Sequence, residues 1–254
     1  MPRLAANIEW QFTDLDFPDR IRAAKDAGFD VVEFHMWRDK DVDAIRRALD
    51  ETGVTVSSFL IDPRTNITDP SAQEAFVASA KDAIETAKRL GASAILPFTG
   101  MLREGVPVEE QKAALVAALK AIAPLVEEAG LGVLIEPVNT NVDHPGVYLD
   151  STAKGLDLVE AVGSPAFTVL YDKYHSDAQH EDTLEVLGDR AGLVGYVQVA
   201  DSHGRAEPGT GDIDWTTFMA DLASIGFDGV IGLEYHPSAD TLASYEAAHR
   251  ALGI

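Results

Sequence analysis

A single-domain (β/α)8 barrel of the α/β class, a TIM barrel running over residues 1–254, is the fold that this sequence predicts. Three observations carry the expectation. Short apolar runs alternate with amphipathic stretches of helical spacing through eight units without a break, and such crossovers build a parallel sheet. Eight units in about 250 residues is the usual size of this barrel. No Ser/Pro-rich linker and no block of like charge divides the chain. The rival, an open doubly wound sheet, needs a glycine-rich phosphate loop after the first strand, and Ile8-Glu-Trp-Gln-Phe12 is nothing like one.

The units follow in order. Leu4–Ile8 is a short apolar strand. Phe17, Ile21, Ala24 and Gly28 fall three or four apart, so Phe17–Ala27 reads as a helix that Gly28 ends. Val31–His35 is the second strand and Asp41–Leu49 the second helix, with Val42, Ile45 and Leu49 on one face. Gly53 precedes a third strand, Val54–Ile61, and Ser71–Leu90 is a long helix stopped by Gly91. Ala94–Phe98 is the fourth strand; Val108–Ala129 is the fourth helix, stopped by Gly130. Val133-Leu134-Ile135 is a continuous apolar run, as expected of a strand buried on both faces. Pro137 has no N–H for a further ladder bond and closes it. Then come helix Thr152–Val162, strand Phe167–Asp172, helix Thr183–Ala191 and strand Leu193–Val199. Helix Trp215–Ile225 is flanked by Asp214 and Gly226, and Val230–Glu234 and Thr241–Leu252 complete the set.

Composition narrows the function. The formal charge of −22 speaks against a nucleic-acid surface and against anionic membranes. No apolar run approaches the roughly 20 residues of a membrane helix. No secretory signal is evident at the N-terminus, and the chain has no cysteine, which fits a cytoplasmic protein and excludes disulfides and thiolate metal sites. Self-association through the outer helices is left open, with no exposed apolar stripe to mark it.

Catalytic groups of such barrels lie at the C-terminal ends of the strands. The last four strands end in Glu136, Asp172, Gln198 and Glu234, each after an apolar run. Any one of these is most simply a solvated or backbone-bonded strand end. Together they aim three carboxylates and an amide at one centre, where the carboxylates repel one another and stay partly protonated. A divalent cation relieves this, and an all-oxygen set suits Mg²⁺ or Mn²⁺.

The runs Ile135-Glu-Pro-Val-Asn139, Tyr171-Asp-Lys-Tyr-His175, Val197-Gln-Val-Ala-Asp201, Glu207-Pro-Gly-Thr-Gly-Asp-Ile213 and Leu233-Glu-Tyr-His-Pro237 resemble hydroxypyruvate isomerase, a family of the xylose isomerase-like barrels. The resemblance covers nearly the whole chain and is specific from about residue 131 onward. It implies a divalent ion held by Glu136, Asp172, Gln198 and Glu234, with Glu136 and Glu234 as the acid/base pair. It also implies that the loop carrying Arg205 and Glu207 approaches the substrate, where an arginine fork suits a carboxylate or hydroxyl pair. His175, just past strand six, is placed to donate to a substrate oxygen. Gln198 favours the isomerases over the sugar 3-epimerases, which usually carry His there. Two places depart from the family. Ser57–Asn66 is shorter than the family's Gly- and Arg-rich loop, and Phe34-His-Met-Trp37 is unfamiliar.

The activity so implied is a metal-dependent isomerisation of a small hydroxy-carbonyl compound, a sugar or keto acid, through an enediolate. Hydroxypyruvate and tartronate semialdehyde exchange in this way, one glutamate taking a proton and the other returning one. A ketose 3-epimerase, and a lyase acting on an oxidised sugar or C-glycoside, are the alternatives. Trp37 and the short third loop suit a larger substrate.

Overall fold

The computed structural model describes residues 2–254. Its strands are β1 (Arg3–Asn7), β2 (Val31–Glu33), β3 (Thr55–Val56), β4 (Ser58–Leu60), β5 (Ala94–Leu96), β6 (Gly132–Ile135), β7 (Phe167–Asp172), β8 (Val194–Gln198) and β9 (Val230–Leu233). The helices between them are α1 (Phe17–Asp26), α2 (Val42–Thr52), α3 (Gln73–Leu90), α4 (Val108–Ala129), α5 (Thr152–Val162), α6 (Lys173–Ala178), α7 (Thr183–Leu187), α8 (Trp215–Ser224) and α9 (Thr241–Leu252). All strand pairings are parallel, in the order β3-β2-β1-β9-β8-β7-β6-β5-β4. The result is a nearly closed barrel. The single third strand expected over Val54–Ile61 is β3 and β4 together, parted at Ser57. There the ring is joined by Phe34 N–H to Ser58 O (3.4 Å) and Leu60 N–H to His35 O (3.0 Å).

Two other elements differ from expectation. Residues just past β7 form α6, six residues long and too short to show a helical period. The helix expected over Thr183–Ala191 ends at Leu187, and Gly188–Leu193 continue as a 3-10 turn. Proline sits within α4 at Pro124 without dividing it. Among the described residues, no helix is long and apolar enough to cross a membrane.

Strand alternation decides which side chains face the barrel axis. Val133 and Ile135 pack outward into the large core shared with the helices, whereas Leu134 joins Ala94, Leu96, Leu170 and Tyr196 in a smaller cluster inside the barrel. Two residues beyond Leu134, Leu170 and Tyr196 stand Glu136, Asp172 and Gln198, which therefore share the inward face. On β9, Val230 packs against the inner cluster and Ile231 and Leu233 against the outer one, so Glu234 also faces in. The same count brings Glu33 of β2 and Asn7 of β1 inward, because Val32 and Ala6 lie in the outer core.

The Pro208-Gly-Thr-Gly211 segment is organised by buried Asp201, just past β8. Its Oδ2 accepts from Gly209 N–H (2.7 Å) and from the Trp215 indole N–H (2.8 Å), and its Oδ1 from Ser202 N–H (2.8 Å). A Cβ on Gly211 would stand 2.3 Å from that Oδ1, so the second glycine permits close approach. Burial pushes the Asp201 carboxyl up, but the indole and backbone donors outweigh it and hold it below the usual range. A depressed carboxyl contributes stability above its unfolded pKa that is lost as the pH falls through the folded value. Asp201→Ala should therefore cost about 3 kcal/mol, since each buried donor left unpaired costs roughly 1–3 kcal/mol. It should also flatten the acid limb of stability against pH, measured by urea unfolding between neutral and acid pH.

Candidate active site

At the C-terminal mouth a cavity of about 150 Å³ is lined by Glu136, Gln198, Glu234, His175 and Arg205 among others. Asp172 lies just behind this wall with its side chain wholly buried. Its Oδ1 accepts from Tyr174 N–H (2.8 Å), capping α6, while its Oδ2 meets Arg205 Nη2 (3.3 Å) and His175 Nε2 (3.6 Å).

Arg205 is the cation on which this end of the barrel turns. Its Nη2 reaches Glu234 Oε2 at 2.5 Å as well as Asp172. The guanidinium lies over the Trp10 ring at 4.8 Å and over the Tyr174 ring at 5.0 Å. Its backbone is left-handed (φ 54°), uncommon outside glycine, so the loop is shaped to deliver this side chain inward.

The carboxyls around it are driven apart in acidity. Burial pushes Glu234 up, but Arg205 and the hydrogen bond from His35 (2.7 Å) outweigh it and bring it to about 2. Burial lifts Asp172 to about 7 against the pull of Arg205. Glu136 is pushed well up by burial and by the charges of Glu234 and Asp172.

His175, just past β7 as expected, is buried in α6. Asn139 Oδ1 accepts from Val142 N–H (3.0 Å) and Asp143 N–H (2.8 Å), which turns its Nδ2 to His175 Nδ1 (2.8 Å). The ring proton is thereby set on Nε2, which faces Glu136 Oε1 (3.7 Å). Burial, then Arg205, keeps the ring well below its ordinary pKa and hence neutral. Glu207 does not line the cavity. Its carboxylate accepts from Ser238 Oγ (2.5 Å) and Ser238 N–H (2.9 Å) and ties down the loop after β9.

Three side chains here escape a reading confined to the last four strands. Glu33, Asn7 and His35 line the cavity from the first two. Glu33 ends the apolar run Val31-Val32 just as Glu136 ends its own, and the same rule applied to β2 finds it.

A hard cation fits this donor set. Glu136 and Asp172 each bring a carboxylate oxygen within 4.8 Å of the other and of His175, whose protonated Nε2 is a donor here rather than a ligand; Glu234 lies outside this group, drawn to Arg205 and His35. Gln198 Oε1 is buried with no hydrogen-bond partner, and Gln198 faces the same cavity as Glu136 and Glu234. An orphaned buried oxygen beside several carboxylates is the chemistry of a divalent-ion site.

Fold and site together define a parallel α/β barrel with a carboxylate-rich mouth. The model of the xylose isomerase-like TIM barrel family matches residues 21–252, and the chain belongs to that family. It is 29% identical to hydroxypyruvate isomerase of Escherichia coli over 96% of each chain. It is 30% identical to 2-oxo-tetronate isomerase of Cupriavidus necator, again over 96% of each. Among solved structures, one described as an AP endonuclease, family 2, from Brucella melitensis superposes with a TM-score of 0.89 at 28% identity, covering 96% of both chains.

Removing Arg205 leaves two buried carboxylates without their cation. Arg205→Met should lower stability by about 3–5 kcal/mol, the usual cost of breaking a buried pair, read from denaturant unfolding in the presence of a chelator. An unchanged midpoint would show that Asp172 and Glu234 simply take up protons.

Proposed function

We propose that the chain is a metal-dependent isomerase that moves a proton between adjacent carbons of a small 2-oxo or 2-hydroxy acid, with hydroxypyruvate and tartronate semialdehyde as the pair it fits best. The observation that carries this is geometric: Glu136 and Glu234 line one cavity from strands across the lumen, and Gln198, whose Oε1 is buried and unpartnered, lines it with them.

Glu234 is suited to take a proton from the carbon bearing the hydroxyl, leaving an enediolate. Glu136, on a strand across the lumen, is suited to hand a proton to the neighbouring carbon. His175 Nε2–H is aimed to donate to a substrate oxygen as hydroxyl and carbonyl exchange places. Arg205 and the rim residue Arg64 face the cavity as cations, which favours a substrate carrying a carboxylate. The ion would be held by Glu136, Asp172, Gln198 and Glu234, as Mn²⁺ or Mg²⁺, and when bound would supply Lewis-acid stabilisation of charge on substrate oxygens.

The relatives support a compound of this kind, since both carry the names of isomerases acting on oxo acids. Size agrees: a cavity of about 150 Å³ is below the roughly 300–1,000 Å³ of drug-sized sites. That argues against a glycoside and leaves a ketose 3-epimerase as the second reading.

Glu136→Gln and Glu234→Gln should each abolish turnover while retaining part of the metal affinity, measured by calorimetry. Exhaustive chelation should remove activity, and Mn²⁺ or Mg²⁺ should restore it. Proton NMR of the reaction in deuterated water separates the readings. Isomerisation gives the aldehyde–ketone pair with deuterium at the newly protonated carbon, whereas epimerisation gives two ketoses differing at one centre.

A further inference from the structure

Gln198 has an orientation problem that a carboxylate does not have. A glutamine can present either oxygen or NH2 to a cation, and only the oxygen binds one. Glu33 removes the ambiguity. Its carboxylate, 2% exposed, accepts from Gln198 Nε2 (3.0 Å) and Asn7 Nδ2 (3.1 Å) at Oε1, and from the Tyr196 hydroxyl (2.7 Å) at Oε2. Glu33 Oε1 accepts two NH2 groups, those of Gln198 and Asn7, so the Gln198 amide meets it through its nitrogen and leaves its own Oε1, buried and unpartnered, for the cavity.

The surroundings hold Glu33 in this place. Tyr196 is itself held by Ser57, whose hydroxyl lies 2.9 Å from its own. A Cβ on Gly232 would stand 2.6 Å from both Glu33 carboxylate oxygens, so β9 makes room for the group with a glycine. Strands β1, β2, β8 and β9 thus each contribute to one buried assembly that leaves the Gln198 amide oxygen free toward the cavity.

We propose that Glu33 is a positioning residue of the metal site, one that sets Gln198 with its oxygen toward the ion. This rests on the metal reading given above. Outer partners of metal ligands typically change affinity by about 10–100-fold. That is the loss expected for Mn²⁺ binding by Glu33→Gln, because an amide in place of this carboxylate can bond either end of the Gln198 side chain. The charge-conserving exchange E33Q/Q198E should recover most of the affinity. The carboxylate then offers the ion an oxygen in either orientation, and the amide on β2 can donate its NH2 to it.

The test is Mn²⁺ titration by calorimetry, with free Mn²⁺ counted by electron paramagnetic resonance and folding checked by thermal unfolding in chelator. Unchanged affinity in E33Q, or an exchange variant that folds but binds no better than E33Q, overturns the proposal. Tyr196→Phe keeps every proposed ligand and Glu33 itself but frees one carboxylate oxygen, so it carries the test where E33Q fails to fold. A several-fold weaker Mn²⁺ affinity is expected, and no change contradicts the role. Wild-type protein that takes up no Mn²⁺ at all would sink the metal reading instead, an outcome distinct from these.

Discussion

Carboxyl groups gathered at the dry end of a barrel must be answered by cations, shared protons or donated hydrogen bonds. Here one guanidinium does most of the answering. Arg205 reaches Asp172 and Glu234 from a left-handed turn and lies over the rings of Trp10 and Tyr174. It splits the acidities of groups that strand geometry would otherwise make alike: Glu234 is drawn down to about 2, Asp172 stays near 7 and Glu136 is pushed well up. A set of inward carboxylates thereby becomes a differentiated one.

The rest of the mouth is arranged to keep each polar group in one state. Asn139 commits its oxygen to two backbone N–H groups and so fixes the tautomer of His175. Glu33 takes the NH2 of Gln198. Asp201 ties together the loop between β8 and α8. Trp10 stacks on His236 (4.1 Å between ring centres) and meets His35 edge-on (5.0 Å), closing the side of the cavity beside Glu234. These groups come from segments far apart in sequence, and the barrel is the device that makes them neighbours.

Much of this was legible in the chain itself, and the reasons are local. An apolar run that ends in a carboxylate reports its own face, since a period of two carries inwardness from Leu134 to Glu136 and from Leu170 to Asp172. Glycines after helices and the proline after Glu136 mark boundaries that sequence shows directly. The part that was not legible depends on partners. The short helix that buries His175 does not show in the sequence until Asp172 caps its six residues. Glu207 looks available until Ser238, 31 residues on, claims its carboxylate. Glu33 was open to the same strand-end rule, but its meaning comes from Gln198, Tyr196 and Asn7 on two other strands.

The most direct measurement is a crystal structure of the protein grown with Mn²⁺, with the ion placed by its anomalous signal. One ion bound by oxygens of Glu136, Asp172, Gln198 and Glu234, with Arg205 displaced from Glu234 toward the cavity, is the result expected. An ion seated instead on Asp143, His144 and His175, or a Gln198 turned with its NH2 to the metal, would contradict the account.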